Sequence, residues 1–214
     1  NRYFIDEASS LGLDMDSYGQ QFIQGGGNSM NMVCFDYNND GIWDILKGES
    51  FSPYQGGYQD ESTILRGQRT GHKLNYISAY KIEQNKKQPY QHKRIIPIDF
   101  DNDGREDFIV GNTGFPPHSR LSFFKQVNNF QFVNISKKSG ADIVNPSGMV
   151  VADINKDGKM DLIVGQSKVR DDRIPGKVKI FVNKIKNNNH SLKVYLEGKN
   201  ANADGLGAKI TLYT

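Results

Sequence analysis

The sequence predicts an all-β fold built from β-propeller blades, and three observations lead to that prediction. An aspartate-rich loop motif occurs three times, apolar runs flank each copy, and weaker strand-like pairs separate the copies. Four-stranded sheets repeated about every 40–60 residues are typical of β-propellers. A closed ring needs at least about four blades. The chain of 214 residues therefore predicts a partial propeller, or one completed by missing blades or by another chain.

The loop motif has the same form in each copy. Counting the first Asp as position 1, each copy carries Asp at 1, Asp or Asn at 3, Asp at 5, Gly at 6 and Asp at 9. The copies with their flanks lie near residues 32–48, 95–111 and 149–165 and align without a gap. The predicted metal ligands, at positions 1, 3, 5, 7 and 9, are Asp36, Asn38, Asp40, Ile42, Asp44, Asp99, Asp101, Asp103, Arg105, Asp107, Asp153, Asn155, Asp157, Lys159 and Asp161.

The chemistry of these loops predicts Ca²⁺, about three ions in all. Hard oxygen ligands at positions 1, 3, 5 and 9 converge when Gly at position 6 permits a sharp turn, and position 7 contributes its main-chain carbonyl. Mg²⁺ prefers a stricter octahedron, and transition metals prefer His or Cys. The alternative is that the loops are metal-free Asp/Asn/Gly turns, which are common hairpin connectors, although three matched copies argue against it.

The loops differ from EF-hands, which begin in the same way but require Glu at position 12. That position is Lys47, Val110 and Val164 in the three copies. The flanks are short β-branched and apolar runs, which predict buried strands rather than helices. Each unit is therefore expected to be strand, calcium loop, strand.

The segments between the loops predict an outer hairpin for each blade. The predicted pairs are Thr63–Arg66 with Lys73–Ile77, Leu121–Phe124 with Phe130–Val133, and Val178–Val182 with Leu192–Leu196. At the N-terminus, Tyr3–Ile5 followed by Ser9–Gly12 parallels Phe132–Ile135 followed by Lys138–Gly140. We therefore expect the chain to open on the outer strand of a preceding blade.

The loops resemble the FG-GAP/VCBS repeats of integrin alpha subunits and of many secreted bacterial proteins. The runs Asn189–Gly198 and Asn202–Ile210 resemble the ASPIC/UnbV domain of the cartilage acidic protein family. The chain accordingly divides into FG-GAP/VCBS blades at 1–188 and an ASPIC/UnbV-like segment at 189–214. The resemblance implies a seven-bladed calcium-binding propeller, secreted or at the cell surface.

Charge and composition indicate which classes of binding partner the chain favours. The net charge is +3, from 27 basic and 24 acidic residues, but ten of the acids are predicted calcium ligands. Three bound Ca²⁺ would raise the net charge from +3 to +9, which favours acidic partners through a salt-sensitive attraction. No apolar run is long enough for a transmembrane segment, and no nucleic-acid-binding motif is recognised. The single cysteine, Cys34, lies in an apolar run and is predicted to be a buried hydrophobe.

No catalytic constellation of Ser, His, Cys or Asp is visible, so we do not expect an enzyme. Three segments after the second strands, Phe51–Tyr54, Gly114–His118 and Gln166–Lys177, are expected to emerge on one rim. They are either ligand-binding loops or ordinary solvated connections. The favoured function is a non-enzymatic extracellular calcium-binding adhesion or recognition module that contacts a protein or an acidic polysaccharide. The alternatives are a structural subunit of a larger extracellular or membrane-associated assembly, and a polysaccharide-active enzyme whose site is not visible in this chain.

Overall fold

The computed structural model describes residues 3–14, 29–49, 61–82, 94–112, 115–129, 131–199, 202–203, 205–208 and 210–211. Their regular elements are α1 (Ala8–Leu11), β1 (Ser29–Phe35), β2 (Asp44–Glu49), β3 (Thr63–Thr70), β4 (Lys73–Lys81), β5 (Arg94–Ile98), β6 (Asp107–Gly111), β7 (Leu121–Asn128), β8 (Gln131–Asn134), a 3-10 turn (Ser136–Lys138), β9 (Pro146–Ala152), β10 (Asp161–Gln166) and β11 (Lys177–Phe181). None of the helices in these ranges has the length and hydropathy of a membrane-spanning segment.

The strands form three antiparallel sheets in chain order, so the predicted all-β class is confirmed. Sheet 1 has the order β1-β2-β3-β4, sheet 2 has the order β5-β6-β7-β8, and sheet 3 comprises β9-β10-β11. The first strands are neighbours, because β1 contacts β5 and β5 contacts β9. The sheets therefore lie side by side like successive blades, and the described strands do not close into a barrel.

Alternation along the strands places the apolar side chains between the sheets. One core joins sheets 1 and 2 and includes Phe35, Leu46 and Phe108. A second core joins sheets 2 and 3 and includes Ile109 and Leu162. Because consecutive residues of β6 point to opposite faces, sheet 2 contributes to both cores, and all five residues of β6 are buried.

The predicted outer hairpins form in sheets 1 and 2, where β3 pairs with β4 and β7 pairs with β8. The prediction of a strand at Leu192–Leu196 is wrong, because these residues form no strand and sheet 3 has three strands among the described residues. The chain leaves sheet 3 after β11 and turns toward sheet 2. There the Nδ2 groups of Asn187 and Asn189 donate hydrogen bonds to the carbonyl of Asp101, at 2.6 and 3.0 Å.

Two smaller expectations are also corrected. Cys34 is exposed rather than buried, because β1 points Phe35 toward sheet 2 and therefore points Cys34 to the opposite face. Tyr3–Ile5 forms no strand in this structure.

Candidate metal centre

The three aspartate-rich loops join the first and second strands of their sheets and lie next to one another. The Nδ2 group of Asn39, at position 4 of the first loop, donates to the carbonyl of Gly104 in the second loop at 3.1 Å. Asn102 makes the equivalent bond to Gly158 in the third loop at 3.0 Å. The structure therefore brings the predicted ligands of all three sheets to one edge of the molecule.

The Asp at position 1 closes each loop by accepting two backbone hydrogen bonds. In the second loop, Asp99 accepts from the N–H of Asp103 at 3.1 Å and from that of Gly104 at 2.9 Å. Asp36 and Asp153 accept the same pair of bonds in the other loops. Gly at position 6 has a φ of 80–83° in the three copies, which is a conformation that favours glycine.

The Asp at position 9 connects each loop to the third strand of its sheet or, in sheet 3, to Asn183, which follows that strand. Asp107 accepts from the N–H of Phe100 at 3.4 Å and from that of Gln126 at 2.7 Å. Asp44 and Asp161 accept bonds from the equivalent N–H groups. All three side chains are fully buried. This carboxylate therefore links the start of the loop, the start of the second strand and the region of the third strand in each sheet. The sequence had indicated only its role as a metal ligand.

The second loop gathers three carboxylates at one point. One oxygen each of Asp99, Asp101 and Asp107 lies within 4.8 Å of the other two. The Oδ1 atom of Asp101 is buried and accepts no hydrogen bond from the protein. An oxygen-only ligand set with an unsatisfied buried oxygen suits a hard cation such as Ca²⁺.

The first and third loops differ at position 3. Their Asn38 and Asn155 donate to the carboxylates of Asp40 and Asp157, at 2.8 and 3.0 Å. Among the described residues, no carboxylate triad gathers in these two loops. Coordination by their ligand sets therefore remains a prediction.

Position 7 enters each loop through its N–H, and in the second loop the guanidinium of Arg105 also donates to Oδ2 of Asp103 at 2.5 Å. The N–H groups of Ile42, Arg105 and Lys159 donate to the position 5 carboxylates at 2.9, 3.0 and 3.1 Å. The predicted coordination by the position 7 carbonyl remains a prediction.

Burial changes the protonation of these carboxyl groups in the metal-free protein. It raises the pKa of Asp107 to about 7 and that of Asp44 to about 6, against the hydrogen bonds that favour the charged forms. Burial also raises the pKa of Asp99. A bound cation would favour the ionised forms of these groups, because its positive charge would offset the cost of burying the negatively charged carboxylates.

A basic side chain contacts each loop, and the sequence analysis missed all three. The Nζ atom of Lys125 contacts Asp101 and lies 2.8 Å from Oδ2 of Asp103. Although burial opposes it, the hydrogen bond from Lys125 lowers the pKa of Asp103. In the first loop, Nη2 of Arg66 lies 3.5 Å from Oδ2 of Asp40, and in the third loop Nζ of Lys193 lies 3.4 Å from Oδ2 of Asp153. Arg66 and Lys125 each precede the residue whose N–H binds the position 9 carboxylate, a correspondence that only the structure reveals.

A second missed feature links neighbouring sheets through side-chain amides. Gln126, whose N–H binds Asp107, sends its Nε2 group to the carbonyl of Tyr37 in the first loop at 2.9 Å. Asn183, the equivalent residue of sheet 3, donates to the carbonyl of Phe100 in the second loop at 2.7 Å. Together with the position 4 bonds, these amides hold the three loops in a fixed relation.

The rim segments lie at the opposite ends of the second strands from the loops. In sheets 2 and 3 they meet, because the guanidinium of Arg170 lies over the ring of Phe115 at 4.7 Å from its centroid. Arg173 pairs with Asp171 at 2.8 Å within the same segment of sheet 3. The rim segment predicted at 51–54 lies outside the described residues.

Comparison with known proteins supports the repeat. Residues 99–164 match the family described as FG-GAP-like repeat, and the match includes the second and third loops. The chain is also similar to a protein named "T-cell immunomodulatory protein homolog" from Plasmodium falciparum (isolate 3D7), with 27% identity over 176 residues. That alignment covers 74% of this chain and 24% of the relative, so the chain spans about a quarter of the relative's length. The ASPIC/UnbV-like segment at 189–214 lies outside the FG-GAP match and remains a prediction.

Proposed function

We propose that this chain is a non-enzymatic, calcium-binding recognition or adhesion module of the FG-GAP type, whose three sheets are blades of a β-propeller. The observation that carries the proposal is the carboxylate triad of the second loop, with its buried and unsatisfied Asp101 oxygen. The FG-GAP match over residues 99–164 supports it independently.

In the second loop, Asp99, Asp101 and Asp107 would hold the ion, with Asp103 and the carbonyl of Arg105 completing the oxygen set. The ion would supply positive charge to buried carboxylates that already connect the loop to β7. Ion binding would therefore stabilise the folded sheets by mass action, since the unfolded chain holds no such site. The first and third loops are proposed to bind one ion each with Asn38 and Asn155 in place of Asp101.

The proposed ligand surface is the rim formed by the segments around Phe115 and Arg170. The segment 166–177 carries four basic and two acidic residues. Its charge and that of the calcium-loaded protein favour an acidic protein surface or an anionic polysaccharide. We place the module outside the cell, where millimolar calcium would fill the loops. The name of the Plasmodium relative, which refers to immunomodulation, fits a recognition role.

The proposal is tested by calorimetric melting of the chain with Ca²⁺, with Mg²⁺ and with EDTA. We expect Ca²⁺ to raise the melting temperature by several degrees over EDTA, and Mg²⁺ to do so less. The variant Asp101→Ala should lose part of the Ca²⁺-dependent increase, whereas Asp142→Ala, at a surface ion pair with Arg120, should retain all of it. A melting temperature that is the same in Ca²⁺ and in EDTA would contradict the calcium assignment.

The ligand proposal has its own test. Binding to acidic polysaccharides should weaken steeply with salt, and Arg170→Ala should weaken it further. Binding that does not depend on salt would contradict the proposed acidic ligand, and turnover of the polysaccharide would contradict the non-enzymatic assignment. Neither result would affect the calcium assignment.

A further inference from the structure

The segment 183–193 follows β11 and lies along the second and third loops without forming a helix or a strand. We call it the cross-loop segment. At its start, the Nδ2 group of Asn183 donates to the carbonyl of Phe100 in the second loop at 2.7 Å and to that of Met160 in the third loop at 3.2 Å. The segment is therefore attached at the boundary between two proposed calcium sites.

The middle of the cross-loop segment holds the main chain of Asp101. The Nδ2 groups of Asn187 and Asn189 both donate to the carbonyl of this residue, at 2.6 and 3.0 Å. The N–H of Asn189 also donates to Oδ1 of Asn187 at 3.3 Å, so the two amides belong to one turn. Asp101 belongs to the carboxylate triad, and its buried Oδ1 atom accepts no hydrogen bond. The segment therefore fixes the backbone of a proposed calcium ligand without using its carboxylate.

The second loop depends on this support more than its neighbours do. At position 3, Asn38 and Asn155 donate to the position 5 carboxylates of their own loops. Asp101 stands at the same position, and an ionised carboxylate has no hydrogen to donate, so it cannot form that internal bond. Lys125 contacts Asp101 through the carboxylate, where a bound cation would compete with it. Bonds to the main-chain carbonyl, in contrast, are compatible with an ion on the side chain.

Contacts on either side keep the two amides in place. The carbonyl of Ile185 accepts a bond from Nζ of Lys159 in the third loop at 2.6 Å, and the Ile185 side chain packs against the core between sheets 2 and 3. Ser191 lies directly on Gly158, where a Cβ atom would come within 2.3 Å of the serine Oγ. The two amides are exposed to water. These anchors therefore matter, because they reduce the conformational freedom that each amide loses when it binds.

We propose that the cross-loop segment positions a calcium ligand: Asn187 and Asn189 hold the main chain of Asp101 in the conformation in which its carboxylate coordinates the ion of the second loop. The inference rests on the proposed function, since it concerns the affinity of a proposed calcium site. Without the two amides, Asp101 would spend less time in that conformation, and the apparent dissociation constant for calcium would rise in proportion. Both asparagines act through Asp101 and are therefore positioning residues rather than ligands.

The first test is calcium titration of the wild-type chain and of the double variant Asn187→Ala/Asn189→Ala by isothermal titration calorimetry. We expect one class of site to bind calcium about tenfold more weakly in the double variant, because two hydrogen bonds that hold a ligand are lost. The matched control, Asn188→Ala, removes an exposed amide that binds neither loop among the described residues, and it should change the affinity less than about twofold. Equal affinities in the wild type and the double variant would overturn the proposal.

The same pair of substitutions in an Asp101→Ala background tests whether the effect belongs to the second loop. Asp101→Ala removes a ligand of that site, so the double substitution should no longer change calcium binding at the sites that remain. An equal weakening in both backgrounds would show that the asparagines support the fold in general, and it would overturn the positioning role.

Hydrogen exchange in EDTA tests the positioning without calcium. The N–H groups of Asp103 and Gly104 close the second loop by donating to Asp99. They should exchange about threefold faster in the double variant than in Asn188→Ala, because the loop has lost its outer support. Unchanged exchange of these amides would overturn the positioning role alone. A wild-type chain that binds no calcium would instead overturn the proposed calcium function and, with it, the role of the segment in affinity.

Discussion

Sheets 2 and 3 carry the same loop motif in different surroundings. Sheet 2 has four strands and is covered on both faces, and its loop gathers three carboxylates around a buried, unsatisfied oxygen. Sheet 3 has three strands, and its face away from sheet 2 leaves Val150 and Ile180 exposed. The backbone of the loop is the same in both, so the motif determines the shape of the loop, whereas the neighbouring sheets determine its burial and electrostatics.

The largest expected difference is in how much stability a truncated side chain costs in each of the two cores. Phe108→Ala should lower the free energy of unfolding by about 4 kcal/mol, because the fully buried ring leaves a cavity in a closed core. Leu162→Ala, at the same position of sheet 3, should cost only about 2 kcal/mol, because its site borders an open apolar cleft of about 530 Å³ between sheets 2 and 3. Urea denaturation of both variants measures this, and equal losses would show that sheet 3 is as closed as sheet 2.

Removing the position 9 carboxylate should also destabilise the protein more in sheet 2 than in sheet 3. In calcium-free buffer, Asp107→Ala should cost about 2 kcal/mol of stability, because it leaves the buried N–H groups of Phe100 and Gln126 without an acceptor. Asp161→Ala should cost about half as much, since Ile154 is exposed and water can replace the lost acceptor. The same denaturation measurement applies, and a larger loss for Asp161→Ala would reverse the comparison.

The basic side chains should tune calcium affinity unequally. Lys125→Gln should tighten calcium binding at the second loop about tenfold, or about 1.4 kcal/mol, because Lys125 contacts two predicted ligands. Lys193→Gln should change the third loop less than about threefold, because Lys193 is more exposed and contacts one ligand at 3.4 Å. Isothermal titration calorimetry tests both, and weaker binding in Lys125→Gln would contradict a competing role for the ammonium group.

The smallest effect concerns the amide links between sheets. Gln126→Ala should cost about 1 kcal/mol, because the fully buried amide leaves the carbonyl of Tyr37 without that donor. Asn183→Ala should cost less than about 1 kcal/mol, because Asn183 is more accessible to water. Melting temperatures resolve this difference, and two unchanged values would show that the amide links add no stability.

The sequence predicted the strands and the loops well because both signals are local. Short apolar runs and the spacing of Asp and Gly are sufficient for β5, β6 and the second loop. The positive φ at position 4 was not predicted. Asn supports it in two copies, but Lys156 adopts it with a φ of 61° and conceals the pattern.

The failures concern partners that are distant in the chain. Leu192–Leu196 has the alternation of a strand, but Asn187 and Asn189 bind the second loop and direct the chain away from β11. The contact of Lys125 with Asp101 likewise depends on how the third strand lies over the loop, which residue spacing does not reveal. Interactions between sheets therefore required the structure.

The central claim is that the three loops bind calcium, and the most direct measurement is the number of ions that the purified chain retains. The chain would be equilibrated with Ca²⁺, separated from free ions by gel filtration and measured by elemental analysis. The account predicts about three ions per chain, with the loss of at least the second-loop ion in Asp101→Ala. A wild-type chain that retains no calcium would contradict it.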